Sequence, residues 1–446
     1  MRRRLGVLLL LAAAGCGPEG PHGSHGEATA PEPVRVRPFG IPDPDVVLLV
    51  TGGTNGMLEV CNCAGPMAGG LSRRSGLVRS YRAAFGNVLL IDTGDAFWIE
   101  PTDLRNEFLL KGYGQVGYDA IVPGDQEWAA GPKPLSEMLA GHGLTCLSTS
   151  VTGEPVPVRP VVERPAGGGK LAVVADVRRS AFRFVPEKNL AGVSVADPDV
   201  VAERVAKLKA DGFVVVAVAH MEPEELESLA ALPVDLILRG HTTRSEPELL
   251  TVAGKPVVKV GGSETLGAVA LKIEGDRIAA VEYRLETVNT DWPLDKRLLQ
   301  TYQAYAHAAM RKAMDAERKE GLGYVSTASC GACHAPQYKA WKTSRHAHAY
   351  ETLKKAKRTD NPNCLACHTS GFGTKEGFFT IEKTPELAGV NCQDCHRFNS
   401  REHRRKGFRF PPVNNNVCTT CHTPVTDPKF DFRRKLPKVR CPHGGA

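Results

Sequence analysis

Four copies of one pattern carry most of the chemistry in this chain: Cys330-Gly-Ala-Cys333-His334, Cys364-Leu-Ala-Cys367-His368, Cys392-Gln-Asp-Cys395-His396 and Cys418-Thr-Thr-Cys421-His422. Two thiols three residues apart, followed at once by an imidazole, form the attachment pattern of c-type haem. The thiols add to the vinyl groups of the macrocycle, and the adjacent His reaches the iron from one face. The expectation is four covalently bound haems, which accounts for most of the 13 cysteines. Two Cys₄ zinc sites would use the same thiols but leave a His after every second Cys without a purpose. A thioredoxin-like dithiol needs a single pair in a βαβ setting, not four pairs in a polar stretch.

The second axial ligand follows by elimination. Cytochromes place Met or His there, and Met raises the reduction potential. The last Met of the chain is Met314, whereas His346, His348, His403 and His443 all lie outside the motifs in the same C-terminal stretch. Four irons and four spare imidazoles make bis-histidine ligation throughout the economical expectation, with low potentials as its consequence. If one spare His is only a surface residue, one iron stays five-coordinate and open to a small substrate.

Composition separates this stretch from the rest. The chain has 446 residues and a formal net charge of +7. From Tyr324 onward 21 Lys and Arg stand against 9 Asp and Glu, so the remainder is net acidic. Propionates of four haems would offset most of that excess, so the run Arg404-Arg405-Lys406 is assigned to them and no nucleic-acid partner is expected. Apolar strand-like runs nearly vanish here, and a segment this polar cannot build a core from its own side chains. Something else must fill its interior.

Toward the N-terminus, other elements come into view. Met1-Arg2-Arg3-Arg4 followed by the apolar Leu5 to Ala14 reads as a secretory signal, too short to span a bilayer. The sequence Ala13-Ala14-Gly15-Cys16 resembles a bacterial lipobox. That resemblance implies a lipoprotein exported to the periplasm or cell envelope and held at the membrane through Cys16. Position 13 is Ala where Leu is usual, so cleavage by the ordinary signal peptidase stays open. The expected organisation is a signal over 1–16, a Pro- and Gly-rich tether over 17–45, an α/β domain over 46–290, a helical connector over 291–323 and a haem domain over 324–446. Within the α/β domain, Val46–Thr51, Val88–Asp92, Leu171–Asp176, Val214–His220, Leu236–Arg239 and Val257–Val260 read as strands. Gly69–Phe85, Thr102–Tyr113 and Pro198–Asp211 read as helices between them. Ligand loops in such a domain follow the strand C-termini.

Two resemblances sharpen the picture. Trp341-Lys-Thr-Ser344-Arg-His346-Ala-His348, Cys367-His368-Thr-Ser-Gly371-Phe372-Gly373 and Val390-Asn-Cys392 with His403 beyond it resemble the tetrahaem cytochrome c family typified by cytochrome c-554. The resemblance implies closely packed haems in a mainly α and loop domain, electron exchange with redox partner proteins, and His346 as a distal ligand. The α/β domain is similar to the metallophosphoesterase and 5′-nucleotidase fold, an α/β sandwich with two metal ions. The matching pieces are Asp92-Thr-Gly94-Asp95, Tyr118 to Gly124, His220 and Gly240-His241-Thr-Thr243.

The metal set implied by that second resemblance is incomplete. The opening strand ends Thr51-Gly52-Gly53-Thr54, where the family places an Asp-x-His pair. Gly124-Asp125-Gln126-Glu127 stands for Gly-Asn-His-Glu, and Thr243 stands where a His is expected. Asp95, His220 and His241 remain as a vestigial metal site, and three ligands seldom hold a dinuclear centre. Cys61 and Cys63 could replace lost ligands, pair with Cys146 or stay as free thiols. The leading expectation is an electron-transfer protein whose degenerate phosphoesterase domain binds or docks. The alternative is an enzyme: a metal-dependent phosphoesterase, or a haem oxidoreductase acting on a small nitrogen or sulfur compound.

Overall fold

Short β-branched runs flanked by Gly, Asp and Pro become the inner strands of two mixed sheets. The computed structural model describes residues 31–60, 68–98, 100–242, 249–260, 262–403, 405, 407–409, 413–423, 426–427 and 429–442. The strands in chain order are β1 (Val46–Thr51), β2 (Val88–Asp92), β3 (Ala120–Ile121), β4 (Cys146–Leu147), β5 (Val151–Thr152), β6 (Val158–Arg159), β7 (Val162–Ala166) and β8 (Gly169–Val177). They continue as β9 (Ser194–Val195), β10 (Phe213–His220), β11 (Leu236–Arg239), β12 (Leu249–Val252), β13 (Lys255–Lys259), β14 (Thr265–Glu274) and β15 (Arg277–Thr287).

The first sheet has the order β15-β14-β1-β2-β3-β4-β6, and the second β12-β13-β11-β10-β8-β7. Strands β1, β2, β3 and β4 run parallel, as do β8, β10, β11 and β13. Each parallel set therefore delivers its C-terminal ends to one edge of its sheet. The antiparallel hairpin β14–β15 extends the first sheet at β1, and β7 and β12 close the second.

Alternation along the second sheet builds the layers. Val173, Ala175, Val214, Val216, Val218 and Leu238 join one core with Val46–Val50 and Leu89–Ile91 of the first sheet. Their neighbours of opposite parity, Ala172, Val174, Val215 and Ala217, pack instead with Val201, Val205 and Leu208 of the helix Pro198–Ala210. Leu77, Val78, Tyr81, Leu109 and Leu110, from the helices Leu71–Ala84 and Leu104–Val116, cover the far face of the first sheet. Each buried Val or Leu contributes about 1.5–3 kcal/mol, so this two-sheet sandwich carries its own stability.

The helix Lys296–Asp315 starts on Asp295, whose carboxylate accepts from Arg297 N at 3.0 Å and from Ser75 Oγ at 2.7 Å. Its Tyr302 and Tyr305 hydroxyls accept from Asn361 Nδ2 at 2.6 Å and Asn363 Nδ2 at 3.0 Å, docking the C-terminal region. From Thr327 that region consists of short helices and loops. Its core cluster holds five buried side chains: Tyr350, Leu353, Leu365, Phe378 and Leu387. Among the described residues no helix is long and apolar enough to cross a membrane.

Candidate functional sites

The parallel strands converge on a cluster at their C-terminal ends. Strand β2 ends in Asp92, whose buried carboxylate accepts from Thr51 Oγ1 at 2.7 Å, Tyr113 OH at 3.0 Å and Gly94 N at 3.0 Å. Burial pushes its pKa up to about 6 against those bonds. The pinned turn presents Asp95 with φ 57°, a left-handed conformation that costs energy outside glycine and recurs at functional sites. Asp125 opens the short helix Asp125–Trp128 after β3. Glu127 ties the two together by accepting from Ala96 N, Phe97 N and Gly124 N at 2.8, 2.9 and 2.8 Å. Burial, and next the charge of Asp95, push the Glu127 pKa up to about 7.

The second sheet supplies the imidazoles. His220 is the last residue of β10 and is fully buried; His241 lies two residues past β11, also left-handed at φ 49°. His220 fits only because glycines flank it: a Cβ at Gly94 or Gly124 would lie 2.6 or 2.3 Å from its ring. His220 Nε2 is 2.9 Å from Asp125 Oδ1 and 3.7 Å from Asp95 Oδ1. His241 Nδ1 is 3.2 Å from Asp95 Oδ2 and 3.3 Å from Asp125 Oδ1. Hydrogen bonds to Asp125 and Asp95 raise the His241 pKa to about 10. Burial opposes the charge on His220, but Asp95 and Asp125 outweigh it and raise its pKa. The two imidazoles likewise overcome burial at Asp125 and hold it well below the usual carboxylate range.

The structure thus brings together Asp95, His220 and His241 as read from the sequence, and adds Asp125. The expected three-ligand remnant is corrected to a four-donor cluster whose ligand atoms all lie within 4.8 Å of one another. Asp125 was passed over because it stands at the Asn of the expected Gly-Asn-His-Glu; that alignment was the available signal. Among its described residues the loop after β1 brings no carboxylate or imidazole to the cluster, since its Glu59 accepts from Ser72 Oγ instead; Gln126 Nε2 donates to Asn55 Oδ1 at 3.1 Å. Thr243, Cys61 and Cys63 lie outside the described residues. Cys146 is a buried free thiol in β4, pushed up to about 12 by burial and, to a lesser degree, by Glu127.

In the C-terminal region the motif imidazoles meet two of the spare ones. The rings of His334 and His403 have centroids 6.0 Å apart, and those of His346 and His422 lie 6.2 Å apart. A metal sits about 2 Å from an imidazole nitrogen, itself about 1 Å from its ring centre, so two rings across one iron stand about 6 Å apart. Both pairs have that spacing. Second partners fix the tautomers: His422 Nδ1 donates to Asp427 Oδ2 at 2.9 Å, and His368 Nδ1 to the Ala349 carbonyl at 2.8 Å. Each bond leaves Nε2 for a metal. The residues fit haem iron at these two pairs.

His348 departs from the expectation. It is exposed, with Nε2 3.1 Å from the Lys342 carbonyl of its own loop. It also precedes Ala349, which sits on the Nδ1 side of His368. Burial, and next the nearby His334, lower the His396 pKa; His368 is paired with no spare imidazole in the ring contacts of the described residues. His443 lies outside those residues. The motif thiols, all free, hydrogen-bond across motifs, Cys330 with Cys392 and Cys367 with Cys421, so the motifs pack in two pairs, the first with the third and the second with the fourth.

Residues 329–397 match the family described as cytochrome c554 and c-prime. The C-terminal region is 36% identical to cytochrome c-554 of Nitrosomonas europaea, over 18% of this chain and 42% of that protein. The chain therefore spans less than half the length of that relative. The α/β region is similar to the sulfate thiohydrolase SoxB of Thermus thermophilus in complex with glycerol, with TM-score 0.54 and 22% identity over 63% of this chain and 62% of that one. It is also similar to a 5′-nucleotidase precursor from Thermus thermophilus, with TM-score 0.51 and 19% identity over 77% and 73% of the two chains. At such identities the likeness shows the fold: the N-terminal region is a metallophosphoesterase-like α/β sandwich, and the C-terminal region carries the cytochrome c similarity.

Proposed function

We propose that this protein is an exported electron-transfer cytochrome that carries four c-type haems on Cys330/Cys333, Cys364/Cys367, Cys392/Cys395 and Cys418/Cys421, with His334, His368, His396 and His422 as proximal ligands. His403 faces His334, and His346 faces His422, as the distal ligands of the first and fourth haems. The observation that carries this reading is the pair of imidazole separations, 6.0 and 6.2 Å, set on four attachment motifs. Bound haem supplies one-electron chemistry. The chain's own residues set its potential: paired imidazoles and the lack of Met beyond Met314 favour low values. The sandwich serves as a docking platform for redox partner proteins, and the lipid at Cys16 holds the chain at the envelope membrane.

The test is intact mass with an optical spectrum after reduction. Four covalent haems are expected; none would sink the reading. A second reading, a haem oxidoreductase for a small nitrogen or sulfur compound, is favoured by His348, which bonds its own loop. On that reading the ferric spectrum contains a high-spin fraction, and a small anionic ligand such as cyanide removes it.

A further inference from the structure

The four-donor cluster of the sandwich suits a different role from the dinuclear centre that its fold resemblance implies. We propose that Asp95, Asp125, His220 and His241 bind one divalent first-row metal ion, such as zinc, as a closed structural clamp between the two sheets. Asp95 and Asp125 follow strands of the first sheet, and His220 and His241 end or follow strands of the second. One ion held by all four would fasten the C-terminal edges of both layers.

The geometry fits a single tetrahedral ion. Bonds of about 2.0–2.2 Å to nitrogen and oxygen put neighbouring donor atoms about 3.3–3.6 Å apart. The four imidazole–carboxylate separations here are 2.9, 3.2, 3.3 and 3.7 Å. Two carboxylates and two neutral imidazoles also balance the charge of one divalent cation. Mixed nitrogen and oxygen donors at this spacing suit a first-row ion such as zinc.

Two independent details point to a cation at the centre of the cluster. Asp95 Oδ1 is buried without a hydrogen-bond partner in a residue only 8% exposed, an arrangement that needs an explanation. His220 Nδ1 donates to the Thr93 carbonyl at 2.9 Å, so Nε2, 2.9 Å from Asp125 Oδ1, is the atom left to a metal that displaces its proton. A metal between them makes both atoms ligands. Glu222 lies 3.7 Å from His241 Nε2, on the side away from the cluster, where an outer carboxylate orients a ligating imidazole.

The same donors argue for structure over hydrolysis. Catalytic centres keep a position open for water, whereas four protein ligands close the sphere. The stretch Thr51-Gly52-Gly53-Thr54, where the fold family places an Asp-x-His pair, offers no carboxylate or imidazole for a second ion.

The experiment uses the full-length haem-loaded protein. Equilibrium dialysis against zinc followed by elemental analysis should give one zinc per chain beside the haem iron. Chelation with EDTA should lower the Tm by several degrees, and zinc should restore it. Asp125→Ala and His241→Ala should weaken zinc binding at least tenfold and abolish the chelator effect, while the reduced haem spectrum stays unchanged. Two bound ions, no saturable zinc below micromolar concentrations, or a Tm indifferent to chelation would each overturn the clamp. Manganese-dependent hydrolysis of bis(4-nitrophenyl) phosphate that is lost in His241→Ala would overturn its closed, non-catalytic character. Should either variant fail to fold, the wild-type stoichiometry and chelator response still decide the matter.

Discussion

The sandwich and the C-terminal region solve the problem of an interior by opposite means. In the sandwich, strand residues fill two apolar layers, one between the sheets and one beneath the helix Pro198–Ala210, and the ionisable cluster sits at strand ends. From Tyr324 onward only seven described hydrophobic side chains are buried, Ala349, Tyr350, Leu353, Leu365, Phe378, Leu387 and Phe398. A region of that length with so small a core lacks the apolar burial that offsets its conformational entropy. Its Cys and His crowd into the space that other domains give to Leu and Val. The difference teaches that a prosthetic group can be a core, so that cofactor attachment and folding become one event.

The largest test breaks the comparison outright. Protein produced without haem attachment should keep a protease-resistant sandwich while residues beyond Tyr324 are degraded, as read by limited proteolysis and mass spectrometry. Equal resistance of both regions would end the argument that haem is the missing interior. A smaller change reverses the asymmetry: Leu49→Ala in β1 removes a fully buried side chain and should cost about 2–5 kcal/mol of sandwich stability. Its haem content and reduced spectrum should be those of the parent.

The third test is local to the iron. His403→Ala and His346→Ala should each turn one haem from low-spin to high-spin in the ferric optical spectrum, and His348→Ala should leave the spectrum alone. A spectral change in His348→Ala as large as in the other two would restore the four-for-four pairing.

What the sequence revealed follows the strength of each signal. The cysteine motifs are legible because attachment chemistry fixes residue type and spacing together. The strands Val46–Thr51, Val88–Asp92 and Leu236–Arg239 are legible to the residue because they are short apolar runs between breakers. The hairpin β14–β15 went unread because Arg277–Thr287 alternates exposed and partly buried residues only at its two ends, and its Ala, Glu and Arg content masks the period of two. Asp125 was missed for another reason. It becomes a donor only when β3 and β10 end at the same edge, a juxtaposition of residues 95 positions apart. The pairing of His334 with His403 rather than His348 is equally a matter of tertiary placement. His348 stands two residues from His346 in sequence, yet turns to its own backbone.

A finer test concerns how the sandwich holds its cluster. The Glu127 carboxyl, 3% exposed, has its pKa pushed up from an ordinary 4.5 to about 7, because burial disfavours its charge. A raised folded pKa means that this group's stabilising contribution is complete below about 4.5 and is lost as pH rises through about 7. The Tm of the metal-free protein should therefore fall over that window. In Glu127→Gln the fall should be shallower, although Gln lacks the second oxygen that accepts from Gly124 N. Parallel pH profiles would assign the slope to other groups.

The smallest effect compares single thiols across the two regions. Cys146 is 1% exposed in β4 with its pKa pushed up to about 12, so almost no thiolate exists at pH 8. Cys441 is exposed in the C-terminal region. Iodoacetamide at pH 8 should modify Cys441 within minutes and leave Cys146 untouched until the sandwich unfolds. The eight motif cysteines, once bonded to haem, should not react. Modification of any of them in the purified protein would mean an unfilled attachment site, and with it an interior that the haems do not complete.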